Sequence, residues 1–215
     1  MRLPGFSRNP ARNLLIACSI LLVLLLAACG SGGSTSGSTP TTTSSPQSTP
    51  SPSPAVSPTS AANLTTYTGN GYTIGYPQGW KATASGKNVV FTDGTGIYNF
   101  TIVVAPNPGG VASPDTVVNT SVDGVKNTLK NPQTVNVPGS TTIGGESWVQ
   151  KSIAGTSSSS GQSGDIQMVV ASDNHPANSA STNSFTVIYA TLQATFDAAN
   201  TQYFQPMLQS FKFTS

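Results

Sequence analysis

The chain has 215 residues, enough for one or two domains, and only 7% of them are charged, where globular proteins run at about 25%. Nine basic side chains against seven acidic ones leave a formal +2, too few cations for the clustered basic face that nucleic-acid binding requires. Two cysteines exclude a disulfide-rich scaffold and a four-cysteine zinc site, and one histidine leaves little room for His-based metal sites or acid–base relays.

The first twelve residues carry Arg2, Arg8 and Arg12 and no acid, and the run from Leu14 to Ala28 is apolar apart from Ser19. A helix over that run spans about 22 Å, short of the roughly 30 Å hydrocarbon core of a bilayer, so the segment reads as a secretory signal peptide rather than a transmembrane span. Its exit, Leu26-Ala27-Ala28-Cys29, resembles the lipobox of bacterial lipoproteins. The resemblance implies acylation of the Cys29 thiol, removal of residues 1–28 by cleavage between Ala28 and Cys29, and peripheral anchoring by lipid chains. Cys18 leaves with the signal peptide, so the mature fold cannot depend on a disulfide. The three arginines leave too, and the remaining six lysines against seven acids make the mature side chains −1. The expected location is therefore the extracytoplasmic face of a bacterial membrane.

Residues 30–60 are Gly, Ser, Thr and Pro except for Gln47, Ala55 and Val56. Such a stretch buries no apolar surface, and residues 29–61 are expected to form a disordered tether behind the lipidated cysteine. It would reach roughly 30 Å as a flexible coil and about 95 Å as extended polyproline II.

From residue 62 onward periodicity appears, and residues 62–215 are read as one domain. Tyr72, Ile74 and Tyr76 alternate with small or polar residues, as in a half-buried strand closed by Pro77 and Gly79. Val89 and Phe91 form a short strand before Asp93-Gly94, and residues 98–105 are apolar enough on both faces to lie centrally in a sheet. Ser113-Pro114-Asp115 then starts a helix with an N-cap, a proline at the first position and an acid in the first turn. Val118, Val122, Val125 and Leu129 give it one apolar face, and Asn131-Pro132 is expected to end it. Strands follow over 133–137, 148–153, 166–172 and 185–190. The polar stretches 155–164 and 173–184 are expected to be loops at opposite ends of the sheet. A last helix holds Phe196, Tyr203, Met207 and Leu208, with Pro206 expected to kink or end it, and residues 211–213 form an edge strand or strap. The order predicts an α+β fold with an antiparallel sheet.

The opening Tyr72-Thr73-Ile74-Gly75-Tyr76-Pro77-Gln78-Gly79-Trp80 resembles the start of PsbP-like domains. The likeness continues through residues 89–93 and 143–148 and closes over residues 204–212, covering nearly all of 64–213. It implies an α-β-α sandwich around a central antiparallel sheet and a tendency toward non-enzymatic interaction. It carries over no site, because the basic and metal-associated residues of photosynthetic members have no matching motif here.

No nucleophile elbow, phosphate-binding loop, calcium loop or dinucleotide fingerprint is present. His175, in a polar stretch before Pro176, reads as an exposed loop residue, and Glu146 and Asp165 flank strands that could bring them together. Trp80 and Trp148 are the candidate contacts if an aromatic groove exists, although packing is the commoner role for such residues. The expected function is a membrane-anchored, non-catalytic interaction or structural module with no cofactor and no metal. Its partner would be an envelope protein or small ligand rather than nucleic acid. The alternatives are an envelope hydrolase built on paired carboxylates, and a carrier of a small apolar ligand held between sheet and helix.

Overall fold

The computed structural model describes residues 63–159 and 162–214. The expected signal peptide, lipobox with Ala28 and Cys29, and tether lie outside the described residues. No described helix is long and apolar enough to cross a membrane.

Most of the domain is antiparallel sheet. The larger sheet orders strands β3 (Lys81–Ser85), β4 (Asn88–Thr92), β5 (Asn99–Pro106), β10 (Asn183–Leu192), β9 (Gln162–His175), β8 (Glu146–Ser159) and β6 (Lys130–Val135), with β7 (Ser140–Ile143) also pairing β8. A three-stranded sheet of β1 (Leu64–Thr68), β2 (Tyr72–Pro77) and β11 (Lys212–Phe213) completes it. β5 and β10 are buried along almost their whole length, as two-faced hydrophobic strands must be when both sides of a sheet are covered.

Alternation along these strands sorts two cores. Phe100, Ile102, Phe185, Val187, Tyr189 and Val169 point to one face, where β2 and the C-terminal helical segment bring Tyr72, Phe204, Met207 and Phe211. Met168, Val170, Ile188 and Ala190 point to the other, against Val118, Val122 and Val125 of helix α1 (Pro114–Lys126). Ser113 caps α1 by accepting from the Thr116 N–H. Tyr72 packs so closely over the preceding turn that a Cβ at Gly69 would fall 2.2 Å from its ring. Only glycine fits there. Burial pushes the Tyr72 hydroxyl's pKa up.

The structure corrects three expectations. Helix α1 ends at Lys126, before Asn131-Pro132, because the Thr128 and Leu129 N–H groups both turn back onto the Val125 carbonyl. Leu129 still reaches the core, from beyond the helix. Pro206 does not end the last helix: α2 (Phe196–Ala199) runs through a π-type turn at Asn200–Phe204 into α3 (Gln205–Ser210), and the proline sits in the first turn of α3. At the first turn of a helix a missing N–H costs little, and proline's fixed φ suits the position. The stretch 155–164 is largely paired strand rather than loop, β8 and β9 staying in register from Val149↔Ser172 to Ser159↔Gln162. Its backbone ladder does not need apolar side chains.

Trp148 is fully buried against Phe211 and Phe213 and donates its indole N–H to the Ile143 carbonyl at 3.1 Å. Trp148→Ala should cost about 3–5 kcal/mol of unfolding free energy. Val111→Ala, at a side chain 90% exposed, should stay within about 0.5 kcal/mol of zero in the same denaturant titration.

Candidate functional site

The α1 face of the sheet narrows in side-chain size toward one end. Along β5 the positions facing α1 are Thr101, Val103 and Ala105, opposite Ile188, Thr186 and Ser184 of β10. Thr116 and Thr120, one turn apart on the flank of α1, are also short. The helix therefore cannot close on the sheet there, and a pocket of about 210 Å³ remains, lined mainly by Val103, Ala105, Pro106, Ala112, Val117 and Thr120. Its polar rim is tied down: Asn107 donates to the Ala112 carbonyl at 2.8 Å and to Asn174 at 3.0 Å, and Asn174 donates to Ala112 at 2.8 Å. An aliphatic cavity of about 150 Å³ is enough to hold a benzene-sized molecule, so this pocket fits a small ring or a short acyl segment.

The opposite face of the sheet carries the titratable groups. Gly144 and Gly145, at φ 62° and 85°, turn β7 into β8 and start β8 at Glu146. The β8–β9 register then brings Glu146 beside the end of β9, where His175 Nδ1 lies 2.8 Å from the Glu146 carboxylate. The His175 ring stacks on Phe213 at 3.7 Å with the planes 8° apart. Asp173, two residues back and on the same face, hydrogen-bonds Glu146. Burial, first, and that shared bond, second, push its carboxyl up to about 6, against partial relief from the Asn174 backbone N–H and from His175.

This grouping corrects the reading of His175 as an exposed loop residue: it closes β9 and is partly covered by Phe213. Glu146 meets Asp173 and His175, whereas Asp165 binds the Thr156 hydroxyl at 2.6 Å on the β8–β9 arm. Glu146 and Asp173 lie near each other on one face of the sheet, not set apart across a cleft with room for water and substrate. Among the described residues no group of three or more His, Cys, Asp or Glu side chains is arranged to hold a metal ion. Trp148, named as a candidate ligand contact, is instead sealed in the core. Trp80 is half-buried beside Tyr98 and Tyr203, with ring centroids 6.2 Å and 5.5 Å away. Neither tryptophan lines the apolar pocket. The run of shortening residues, Val103-Val104-Ala105 with Thr116 and Thr120, is the sequence signal that marks it.

The raised Asp173 pKa fixes a sign. The folded state holds this proton up to about pH 6, whereas the unfolded chain releases it near the ordinary 3.8, so its contribution to stability is full below about pH 4 and lost as pH rises through 6. Asp173→Asn should therefore gain stability relative to the parent as pH rises from 4 to 7. Urea midpoints for the two proteins across that range measure the difference, which should grow with pH and level off above 7.

No family model matches the chain, and no curated protein matches it. The PsbP-like resemblance thus stands on the motifs quoted for it. Among solved structures the chain is similar to LpqN of Mycobacterium tuberculosis, described as involved in cell envelope biogenesis, at 17% identity and a TM-score of 0.41. That match covers 71% of this chain and 91% of LpqN.

Proposed function

We propose that the mature chain is a lipoprotein held on the extracytoplasmic face of a bacterial membrane through Cys29. Its Ser/Thr/Pro-rich tether presents residues 62–215, a PsbP-like α-β-α sandwich, as a non-catalytic binding module. The module takes a small apolar molecule, or the apolar end of a larger one, between α1 and the central β5–β10 pair of its sheet. The observation that carries this reading is the pocket of about 210 Å³ with Val103, Ala105, Pro106, Ala112 and Val117 around it. Apolar surface there remains uncovered because the helix and sheet present only short side chains. Binding would bury that surface at about 25 cal/mol per Å² and needs no charged group, in keeping with a domain so poor in charge. The closeness of Glu146 to Asp173 is not the spacing that glycoside hydrolysis by two flanking carboxylates uses.

Two measurements test the proposal. The chain from residue 30 onward should bind the neutral fluorophore 1-aminoanthracene at a single saturable site with blue-shifted emission. Thr120→Trp, which projects a ring into the pocket from the helix flank, should weaken that binding about tenfold or more while leaving the circular dichroism spectrum unchanged. An unaltered affinity in Thr120→Trp would overturn the site. Separately, cells expressing the full chain and fed a clickable fatty acid should label it. Cys29→Ser should lose the label, and a label retained in that variant would remove the anchor.

A further inference from the structure

On the other flank of α1 lies a second cavity, of about 290 Å³, between the helix and strands β6 and β8. It is the more polar of the two, although Val122, Val135 and Val137 form part of its wall. Asn119, Asp123 and Lys126 line it from the helix, and Thr134, Asn136 and Lys151 from the sheet side. The chain has only six lysines after its export signal, and two of them converge on this one cleft.

Those two cations are poorly neutralised. Lys126 approaches Asp123 at 3.4 Å, a pair in which both side chains are largely solvent-exposed and therefore weak. The Lys151 ammonium donates to the neutral Asn119 side chain at 2.5 Å, and among the described residues no carboxylate lies within ion-pair distance of it. The adjoining helix C-terminus would ordinarily repel an anion. Here the Asp123 carbonyl accepts from the Asn127 N–H and the Val125 carbonyl from the Thr128 and Leu129 N–H groups, so these two carbonyls are already engaged. Asn119, Thr134 and Asn136 add neutral donors and acceptors that match hydroxyl groups. Lysines, rather than the planar fork of arginine, suit a compact anion approached from several directions.

We infer that this cleft binds a phosphorylated sugar, its phosphate between Lys126 and Lys151 and its hydroxyls on the amide and hydroxyl groups of Asn119, Thr134 and Asn136. The site is separate from the apolar pocket, and its existence does not depend on that pocket's occupancy.

The test is calorimetric titration of the full-length chain, in a neutral detergent at low ionic strength, with glucose 6-phosphate, glucose and inorganic phosphate. Glucose 6-phosphate should bind one-to-one, and the other two should each bind at least severalfold more weakly. Lys151→Met, which keeps most of the side-chain stem, should weaken the sugar phosphate roughly fivefold, the loss expected for one unit charge about 4 Å away in a wet site. Asp123→Asn removes the only carboxylate lining the cleft and should tighten binding about twofold. Both substitutions sit on exposed side chains, so neither threatens the fold. Absence of saturable binding, an affinity unchanged by both substitutions, or equal affinity for inorganic phosphate would each overturn the inference.

Discussion

Everything in this domain depends on β10 being buried on both sides. It pairs β5 along one edge and β9 along the other, and eight of its ten residues are buried. A strand in that position presents Phe185, Val187 and Tyr189 to one face and Thr186, Ile188 and Ala190 to the other, so each face must be covered. The chain supplies two different covers. One is a single amphipathic helix whose Val118, Val122 and Val125 match the modest aliphatic side of the sheet. The other is an aromatic layer, in which Tyr189 faces Phe100, Phe196 and Phe204 at centroid distances from 5.0 to 6.1 Å.

That difference explains where the cavities are. The aromatic face is assembled from large interlocking side chains contributed by β2, the C-terminal helical segment and β11. The α1 face is a rigid cylinder lying on a twisted surface, which it touches well only along its apolar stripe. Either side of the stripe, space remains wherever the side chains are short. On the β5–β10 side those side chains are Ala105, Thr116 and Thr120, and the space is apolar. On the β6–β8 side they are Asn119, Thr134 and Asn136, with Lys126 and Lys151 also lining it, and the space is more mixed in character.

The sequence disclosed the parts whose side chains alternate in hydrophobicity and concealed those held by backbone alone. Residues 72–76, 98–105 and 185–190 were legible as strands because their burial periodicity is written in Tyr, Ile, Val and Phe. The start of α1 was legible because Ser113, Pro114 and Asp115 each have a reason to stand at a helix N-terminus. β3, made of Lys-Ala-Thr-Ala-Ser, and the Ser-rich arm after Gly155 carry no such signal. They are strands because a neighbour's ladder accepts them. His175 was read as a loop residue for the same reason: its setting depends on β8–β9 register, and register is a long-range property. The apolar pocket is harder still to read, since it arises from what is small, and short residues look alike whether they fill a tight contact or leave a gap.

The scarcity of charge gives those features their meaning. In a domain rich in lysine and glutamate, two lysines by one cleft would be an ordinary solvated surface, and a half-buried Asp–Glu–His group would be one ion cluster among several. Here the described residues hold seven acids, six lysines and one histidine, and Asp123, Glu146, Asp173, Lys126, Lys151 and His175 gather at two places on opposite faces of one sheet. At the aromatic end, Glu146 and Asp173 gather beside His175, whose ring stacks on Phe213 of β11 and so packs the small sheet against the large one. Beside α1, Lys126 sits in the last helical turn, where a cation suits the helix end, and Lys151 donates to the neutral Asn119 side chain. Exposed lysines keep their hydration and cost the fold little, so packing leaves the placement of Lys151 open, and the meeting of both lysines at one cleft is the feature the proposed site uses.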